Sequence, residues 1–550
     1  MIPKLIHFVW FGPPMPAWAQ RNIDAFRRLN PEYEIRIHGE DALLPCYADT
    51  YAKLTHAANK CDLLRYSILE KYGGWYFDCD FWPFRPLAEA ESAWGLNGAR
   101  LFLAEQSDPG KRDYLNGAVL ACGPEWRGWP IVRDLCINAV HDDWATYGPH
   151  LVTKLANQHP NLVEIAGRAW WYGPGAQWAH KLYRCAVEAR HEPIRRFMPE
   201  TGGQLPFAMH LWAYKHSDHI AAASTGSHKK TALIFNRPTW FDGQQALFDS
   251  LQSGLEKTGY AVERLERKKG ALAEASCVPD LAVFWNGMRE VEAQLVADAK
   301  RLGAKTLIME HGFWQRTKHV QLDANGTQHR ASWRVNLREP APPQGAERLA
   351  AFYPNGVKPI EVRRQGYVLV LGQVSGDSQL FDSEIKGPAA LQRAVKGAIP
   401  AKVPVFYRPH PLSPLRPHGC DILPMLSDGP DTPAVYSRLK AGPGLAKALE
   451  GARFVITINS TAGNEALAAG VPVLALGPAL YNIAGVARPA SVATLKDDIQ
   501  AMLDGWVPDN AKVLNFLHWL ACRQYSAADL ADGWPIRLAL GLEQETASGD

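Results

Sequence analysis

No stretch of this sequence approaches the ~20 consecutive apolar residues a helix needs to cross a bilayer, so no membrane span is expected. The opening, Met1 to Trp10, runs directly into an apolar, strand-like segment. It lacks the basic stretch, long apolar core and small-residue cleavage site of a secretory signal. The cysteines offer no framework either. Cys46, Cys61, Cys79, Cys122, Cys136, Cys185, Cys277, Cys420 and Cys522 are scattered, odd in number and contain no CxxC pair. Reduced thiols in a cytosolic chain fit that pattern; a disulfide scaffold or a structural zinc site does not. Charge of one sign is missing too. A formal net charge of +3 over 550 residues argues against a broad electrostatic partner such as duplex DNA or an anionic membrane. Internal repeats and low-complexity tracts are absent. These absences together point to a cytoplasmic chain whose membrane association is at most peripheral, at the inner membrane.

What is present is an ordinary globular composition, 47% hydrophobic and 21% charged, in a chain too long for one core. Two or three domains are expected. Residues 1–222 mix short strands with helices and are rich in Trp and Tyr. The small, polar run Ala221–Lys230 reads as a linker. From Thr231 the texture changes to apolar β-runs alternating with Ala/Leu-rich helical stretches: TALIFNR, DLAVFWNG, KTLIMEHG, YVLVLGQ, VPVFYRPH, RFVITINS and VPVLALG. Each run ends in a polar residue or Gly, as parallel strands do when their carboxyl ends carry a site. The Pro-rich segment Leu337–Val362 is expected to join two Rossmann-like halves, about 231–362 and 363–505. Residues 506–550 read as one amphipathic helix, Asn510–Tyr525, and a polar tail.

The strongest chemical signal lies between His56 and Phe84. Ala57 to Tyr72 has helical spacing, and Gly73–Gly74 is a natural stop. Trp75 to Phe81 then reads as a strand, which puts Asp78 and Asp80 on one face and Cys79 on the other. Two adjacent carboxylates are costly without a cation. A hard divalent ion shared with diphosphate oxygens removes that cost. Asp62 and Arg65, three apart on the helix, share a face and suit a grip on ribose or sugar.

These residues sit in a longer ordered pattern: IPKLIHFVWFG, NPEYEIRIHGED, the D-x-x-R helix, YGGWYFDCD and the RPL step. Over residues 1–217 the chain resembles the DXD-containing sugar-transferase family that includes yeast mannosyltransferases and, more distantly, clostridial glucosylating toxins. The resemblance implies a GT-A fold, a Rossmann-like sheet with one nucleotide-sugar site, and dependence on Mn²⁺ or Mg²⁺. Carried over by position, Asp78 and Asp80 would face metal, diphosphate and ribose. Asp62, Arg65 and Tyr76 would hold the donor, and Trp10 would lie near the base. YLNGAVLACGP (Asn116, Gly117) and TYGPHLVTK (Gly148, Pro149) match later segments. In FAMHLWAYKHS, with His210, Trp212 and His216, His210 is the preferred late contact to metal or phosphate. A histidine satisfied within the fold is the alternative. The many tryptophans suit either core or sugar platforms; Trp75 and Trp82 read as core.

A second set of signals follows. MEHGFWQR (Glu310, His311), LGQVSGDSQLF (Gln373, Asp377, Ser378), VFYRPHP (Arg408, His410, Pro411) and ITINSTAGNEAL (Asn459, Ser460, Thr461, Glu465) each follow a strand. Ser460, Thr461 and the N–H groups of a helix start make an anion site, which Arg408 and His410 reinforce. Glu310 and Asp377 are candidate bases for an acceptor hydroxyl. Over about residues 231–505 this set resembles the capsule polysaccharide synthesis family, which contains CMP-Kdo transferases. That implies a GT-B-like pair of Rossmann domains, no obligatory metal and a CMP-linked donor held by His410, Ser460 and Thr461. Here His311 stands where the family more usually carries an acidic residue.

The expectation is therefore an α/β glycosyltransferase with two centres. A metal-dependent front domain would use a UDP- or GDP-sugar and a second module a CMP-sugar, building a glycan or glycolipid acceptor at the cell surface. One active centre beside a binding or structural module is an alternative. Glycosylation of modified nucleic-acid bases is another, although only Arg264–Gly270 and the segment near Arg195 are locally basic.

Overall fold

The computed structural model describes residues 1–106, 115–139, 143–223, 230–236, 244–374, 376–410, 423–424 and 444–543. The chain divides into two compact units. One comprises Met1–His228 with Leu272–Pro279 and Lys300–Ala304; the other comprises Lys229–Ala271, Asp280–Ala299 and Lys305–Asp550.

The first unit is built on strands β1 (Leu5–Val9), β2 (Glu34–His38), β3 (Gly74–Phe77), β4 (Phe81–Pro83), β5 (Leu101–Glu105), β6 (Leu115–Cys122), β7 (Val163–Ala166) and β8 (Ala208–His210). Six of them form a mixed sheet in the order β2-β1-β3-β6-β5-β7, while β4 and β8 make a separate antiparallel pair. The parallel portion β2-β1-β3 requires crossovers, and helices Ala17–Leu29 and Ala57–Tyr72 supply them. Alternation along β3 divides the core. Trp75 and Phe77 enter one apolar layer and Tyr76 the other, so the sheet is covered on both faces. Trp75 is fully buried and Trp82 is 9% exposed, so both lie in the interior.

The second unit holds β9 (Thr231–Asn236), β10 (Ala261–Glu266), β11 (Leu281–Trp285), β12 (Lys305–His311), β13 (His319–Asp323), β14 (Tyr367–Leu371), β15 (Val405–Arg408), β16 (Leu423–Pro424), β17 (Ala452–Thr457), β18 (Val473–Ala475), β19 (Arg488–Pro489) and β20 (Tyr525–Ser526). They form two six-stranded sheets, β10-β9-β11-β12-β13-β20 and β16-β15-β14-β17-β18-β19. In each, the central neighbours are parallel and a two-residue antiparallel strand closes one edge. Chain order reverses at β9–β11 and at β14–β17, and crevices beyond the carboxyl ends of such strands are where ligands bind.

Residues past 505 hold more than one helix and a tail: helices Ala527–Asp532 and Trp534–Ala539 follow the first. Helix Asn510–Cys522 buries Phe516, Leu517 and Leu520 in the core, and β20 pairs with β13 of the other sheet. The helix is apolar on too much of its surface to stand alone, which is why it is covered. The stretch 337–362 is pinned to the helix Asn510–Cys522: Ala341 N–H donates to Asn515 and Ile360 N–H to Asn510, both at 2.7 Å. The expected linker 221–230 and the final residues lie partly outside the described residues, as do Pro411 and Cys420. No helix among the described residues is long and apolar enough to cross a membrane, and the described cysteines are free thiols.

Candidate functional site

β3 ends at Phe77, and the acidic pair lies just beyond it in a turn. Asp78 N–H donates to Ala118 O at 2.9 Å, the last bond toward β6; Phe81 N–H then donates back to Asp78 O at 3.2 Å. The chain leaves to pair with β8, setting Phe81 opposite His210. The expectation of a strand running through Asp78–Asp80 is therefore corrected. Strand alternation does not align the carboxylates, because the pairing partner changes from β6 to β8 at this point. The turn achieves the same convergence. One ligand atom each from Asp78, Asp80 and His210 lies within 4.8 Å of the others. Cys79 turns away into the core, its carbonyl held by Asn22 Nδ2 at 3.0 Å.

Asp80 is tied to the segment after β8. Its Oδ1 meets His210 Nε2 at 3.1 Å, and its Oδ2 accepts from Ala213 N–H at 2.8 Å, the start of helix Ala213–Ala223. Burial raises the Asp80 carboxyl, but the His210 imidazole and the Ala213 N–H outweigh it and hold it below its ordinary value. Asp78 goes the other way. Burial dominates and Asp80 adds repulsion, so its carboxyl is raised despite Arg65. Two carboxylates with opposite perturbations share one confined space, and Nδ1 of buried His210 has no protein partner. Oxygen, oxygen and imidazole donors suit a divalent cation of the harder kind. The cluster fits a metal ion.

Asp62 and Arg65 sit one layer behind. Each is 4% exposed. Arg65 Nη2 meets Asp62 Oδ1 at 2.7 Å and Asp78 Oδ1 at 3.4 Å, and its guanidinium lies 4.9 Å from the centre of the Tyr76 ring. Tyr76 OH donates to Asp78 Oδ1 at 2.8 Å. Burial pushes the Asp62 carboxyl up to about 7, against the pull of Arg65. Two glycines make room for the pair. A Cβ at Gly117 would fall 2.6 Å from Arg65 Nη1, and one at Gly148 would fall 2.7 Å from Asp62 Oδ2. This gives the YLNG and TYGP segments a physical role: they pack the ion pair that props Asp78.

In front of the acidic turn is a cavity of about 480 Å³. Trp10, Phe11 and Trp18 line it together with Ala57, Cys61 and Ser217, while Arg65, Tyr76, Asp78 and Asp80 border its polar end; Asp62 does not. The sequence singled out Trp10 but missed Trp18 and Ser217, which carry no motif and reach the cavity only through helix packing. His216 is occupied elsewhere, stacked on His180 with ring centres 4.0 Å apart.

In the second unit Glu310, Gln373, Arg408, His410, Ser460 and Thr461 lie at or just past carboxyl ends of strands, whereas Asp377 caps the turn Ser378–Leu380 and Glu465 lies within helix Ala462–Ala468. Glu310 accepts from Asn286 Nδ2 at 2.7 Å, and the same nitrogen reaches Ser378 Oγ at 3.0 Å, beside Asp377. Asp377 Oδ1 accepts from Gln379 N–H at 3.0 Å. Gln373 spends both ends of its amide on Asn459, at 2.7 and 3.1 Å, locking β14 to β17. Arg316 Nη1 meets Thr461 Oγ1 at 3.3 Å. Burial raises the Glu465 carboxyl against the pull of Arg316 and Arg408, and it lowers His410, with Arg316 adding repulsion and Asp377 opposing. Glu465, Arg408, His410 and Thr461 thus share one electrostatic neighbourhood with Arg316.

The helix start differs from expectation. Ala462 N–H donates to Ser460 Oγ at 3.3 Å, Gly463 N–H to Ser460 O at 3.0 Å and Asn464 N–H to Thr461 O at 2.9 Å. The N–H groups of Ala462, Gly463 and Asn464 are thus taken by local acceptors, and the positive charge near this turn comes from side chains. Arg316 and Asn286 were missed, although Arg316 closes the MEHGFWQR run.

Comparison with known proteins agrees with this division. Residues 19–97 match the glycosyltransferase sugar-binding region containing DXD motif, and residues 356–502 match the capsule polysaccharide biosynthesis protein family. Among curated proteins none matches. Solved structures similar to parts of the chain include KpsC β-Kdo 2,7 transferase from Thermosulfurimonas dismutans, at 17% identity and TM-score 0.36, covering 57% of this chain and 100% of that one. A glycosyltransferase involved in glycosylation of the major capsid of PBCV-1 gives 10%, 0.27, 40% and 99% respectively. Mouse xyloside xylosyltransferase 1 gives 12%, 0.26, 39% and 99%. The α/β class expected from the sequence, GT-A-like in front and GT-B-like behind, is the one found. The chain is a glycosyltransferase that carries a DXD-type sugar-binding region and a capsule-polysaccharide-biosynthesis region.

Proposed function

We propose that the first unit transfers a sugar from a UDP- or GDP-sugar with Mn²⁺ or Mg²⁺ held by Asp78, Asp80 and His210. The observation that carries this reading is the convergence of those three side chains at the polar end of a cavity with aromatic walls. The metal, when bound, neutralises the diphosphate and stabilises it as a leaving group. The chain's own residues do the rest. Arg65 and Tyr76 fix Asp78, and His210 and Ala213 N–H fix Asp80, so neither carboxylate has to reorganise when donor binds. Trp10, Phe11 and Trp18 offer faces for base or sugar and keep water out.

The second unit, in this reading, is a further transferase centre for a CMP-linked sugar. Arg316 and Arg408 would neutralise its phosphate near Ser460 and Thr461, His410 would hydrogen-bond it through an imidazole that burial holds toward the neutral form, and Glu310 or Asp377 would take the acceptor proton. Two centres on one chain keep the product of one at high local concentration for the other. The acceptor is a growing glycan or glycolipid, worked on at the cytoplasmic side of the inner membrane. A donor panel tests this: UDP-, GDP- and CMP-sugars, with and without Mn²⁺, read by nucleotide release. Two donor classes are expected, one metal-dependent and one not; a single class would leave only one active centre.

A further inference from the structure

The cavity in front of the acidic turn has two walls of different make-up. Asp78 is tied to one of them through Arg65 of helix Ala57–Tyr72, whose Ala57, Ala58 and Cys61 also line the cavity. Asp80 is tied to the other through Ala213 N–H, at the start of helix Ala213–Ala223. On this second side stand Trp18 and Ser217, which no sequence motif accounts for.

Each is held by a neighbour that grips the acidic turn or packs beside it. Trp18 lies in the first turn of helix Ala17–Leu29. Asn22, one turn further on the same face, donates to Cys79 O at 3.0 Å and accepts from Tyr183 OH at 3.1 Å. Asn22 is wholly buried, so this pair of bonds fixes the helix over residues 78–80. The link from Trp10 to Trp18 contains Pro13, Pro14 and Pro16, and Trp10 Nε1 donates to Pro13 O at 2.8 Å. Three fixed φ angles in so short a link hold the two indoles at a set separation. Ser217 is placed by a kink. His216 departs from helical backbone geometry, and its ring stacks on buried His180 with centres 4.0 Å apart. Ser217 follows directly, is exposed, and lines the cavity as Ala213 does.

This side of the cavity is neutral. Asp78, Asp80 and Arg65 are the only charged groups among the described lining residues, and they form the acidic turn and its brace. Trp18, Ala213 and Ser217 add an aromatic face, a small residue that leaves room, and a hydroxyl that both donates and accepts. A pyranose ring has the complementary form, with C–H groups on its face and hydroxyls around its rim. We propose that Trp18 and Ser217 form the acceptor subsite of the first centre and that it takes an uncharged sugar ring. Donor and acceptor then reach the acidic turn from different sides, the donor along Trp10 and the helix Ala57–Tyr72. The acceptor role rests on the proposed transferase activity of the first unit; the binding of a neutral glycoside at Trp18 does not.

The test uses the full chain with Mg²⁺ and ligand-observed NMR. The probes are methyl α-D-glucopyranoside, methyl α-D-mannopyranoside and methyl β-D-glucuronide, with UDP and GDP titrated separately. Saturable binding of at least one neutral glycoside is expected, and weaker binding of the glucuronide. Trp18→Ala should weaken the neutral glycoside by about tenfold or more and change nucleotide affinity by less than about twofold. Trp18→Phe, which keeps an aromatic face, should restore most of the binding. Ser217→Ala, at an exposed position where folding is not at stake, should weaken the glycoside by about threefold or more. Absence of glycoside binding, tighter binding of the glucuronide, unchanged binding in Trp18→Ala, or a parallel loss of nucleotide in that variant would overturn the proposal. Failure of both UDP and GDP to bind the wild-type chain defeats the donor reading instead, and the glycoside titrations still decide whether Trp18 and Ser217 bind sugar.

Discussion

The two units solve the same electrostatic problem with opposite signs. In the first, the groups facing the cavity are carboxylates, Asp78 and Asp80, and the nearest arginine is locked behind them against Asp62. A phosphorylated ligand meets net negative charge there unless a cation comes with it. In the second, Arg316 meets Thr461 of a hydroxyl-bearing turn and lies with Arg408 near Glu465, so positive charge is part of the protein. On the proposed reading, the contrast corresponds to two modes of recognising activated sugars, one requiring an added ion and one self-sufficient.

The largest effects should come from crossing the two modes. Asp80→Ala, or chelation with EDTA, is expected to lower metal-dependent nucleotide release by about 100- to 1,000-fold, the scale set by loss of a charge-stabilising group. Neither should alter CMP-sugar turnover. Arg408→Ala should do the reverse, reducing CMP-sugar turnover by about 10- to 100-fold and sparing the metal-dependent reaction. Steady-state assays with both donors on each variant read the cross directly. If either change silences both reactions, the comparison between independent sites fails.

A smaller effect probes how the front site is held. In Gly148→Ala the new Cβ would lie 2.7 Å from Asp62 Oδ2, closer than carbon and oxygen tolerate. The buried Asp62–Arg65 pair would have to shift, at a cost of about 1–3 kcal/mol in urea denaturation, as overpacking usually exacts. Gly167→Ala is the control, since nothing lies within 4 Å of its Cβ position. Equal stability of the two variants would remove the support assigned to Gly148.

The sequence exposed much of this architecture, unevenly. The runs that became β9, β11, β12, β14, β15, β17 and β18 were legible because strands covered on both faces are continuously apolar. β10 escaped because it is an edge strand, half-exposed and carrying Glu263, Arg264 and Glu266, so its residues read as solvated surface. β20 escaped because two residues have no periodicity, and its pairing with β13 spans some two hundred positions. The acidic pair was legible as chemistry, but its turn was not, since the end of β3 is decided by a change of partner from β6 to β8. Gly117 and Gly148 stood out by position alone. Their reason, clearance for Arg65 and Asp62, exists only in three dimensions.

The smallest expected effect concerns acid, and it singles out the first unit. His7 on β1 is wholly buried and neutral, with its Nε2 2.9 Å from Gly73 O and its Nδ1 3.0 Å from His38 Nε2. Burial above all, with repulsion from His38 and Arg36 and only partly offset by the Gly73 carbonyl, lowers it from 6.5 to about 4. Between those values the unfolded chain binds a proton that the folded chain does not, so stability rises with pH across the window. The contribution of His7 is complete above about pH 6.5 and is lost as pH falls through about 4. At pH 5.5 the loss is about 1.4 kcal/mol by that linkage. Hydrogen exchange read segment by segment at pH 7 and 5.5 should show strands β1 and β3 opening more readily at the lower pH. His7→Gln should flatten most of that dependence, leaving a residue from His38, which burial also lowers. A pH response in β1 that survives His7→Gln unchanged would place the acid sensitivity elsewhere.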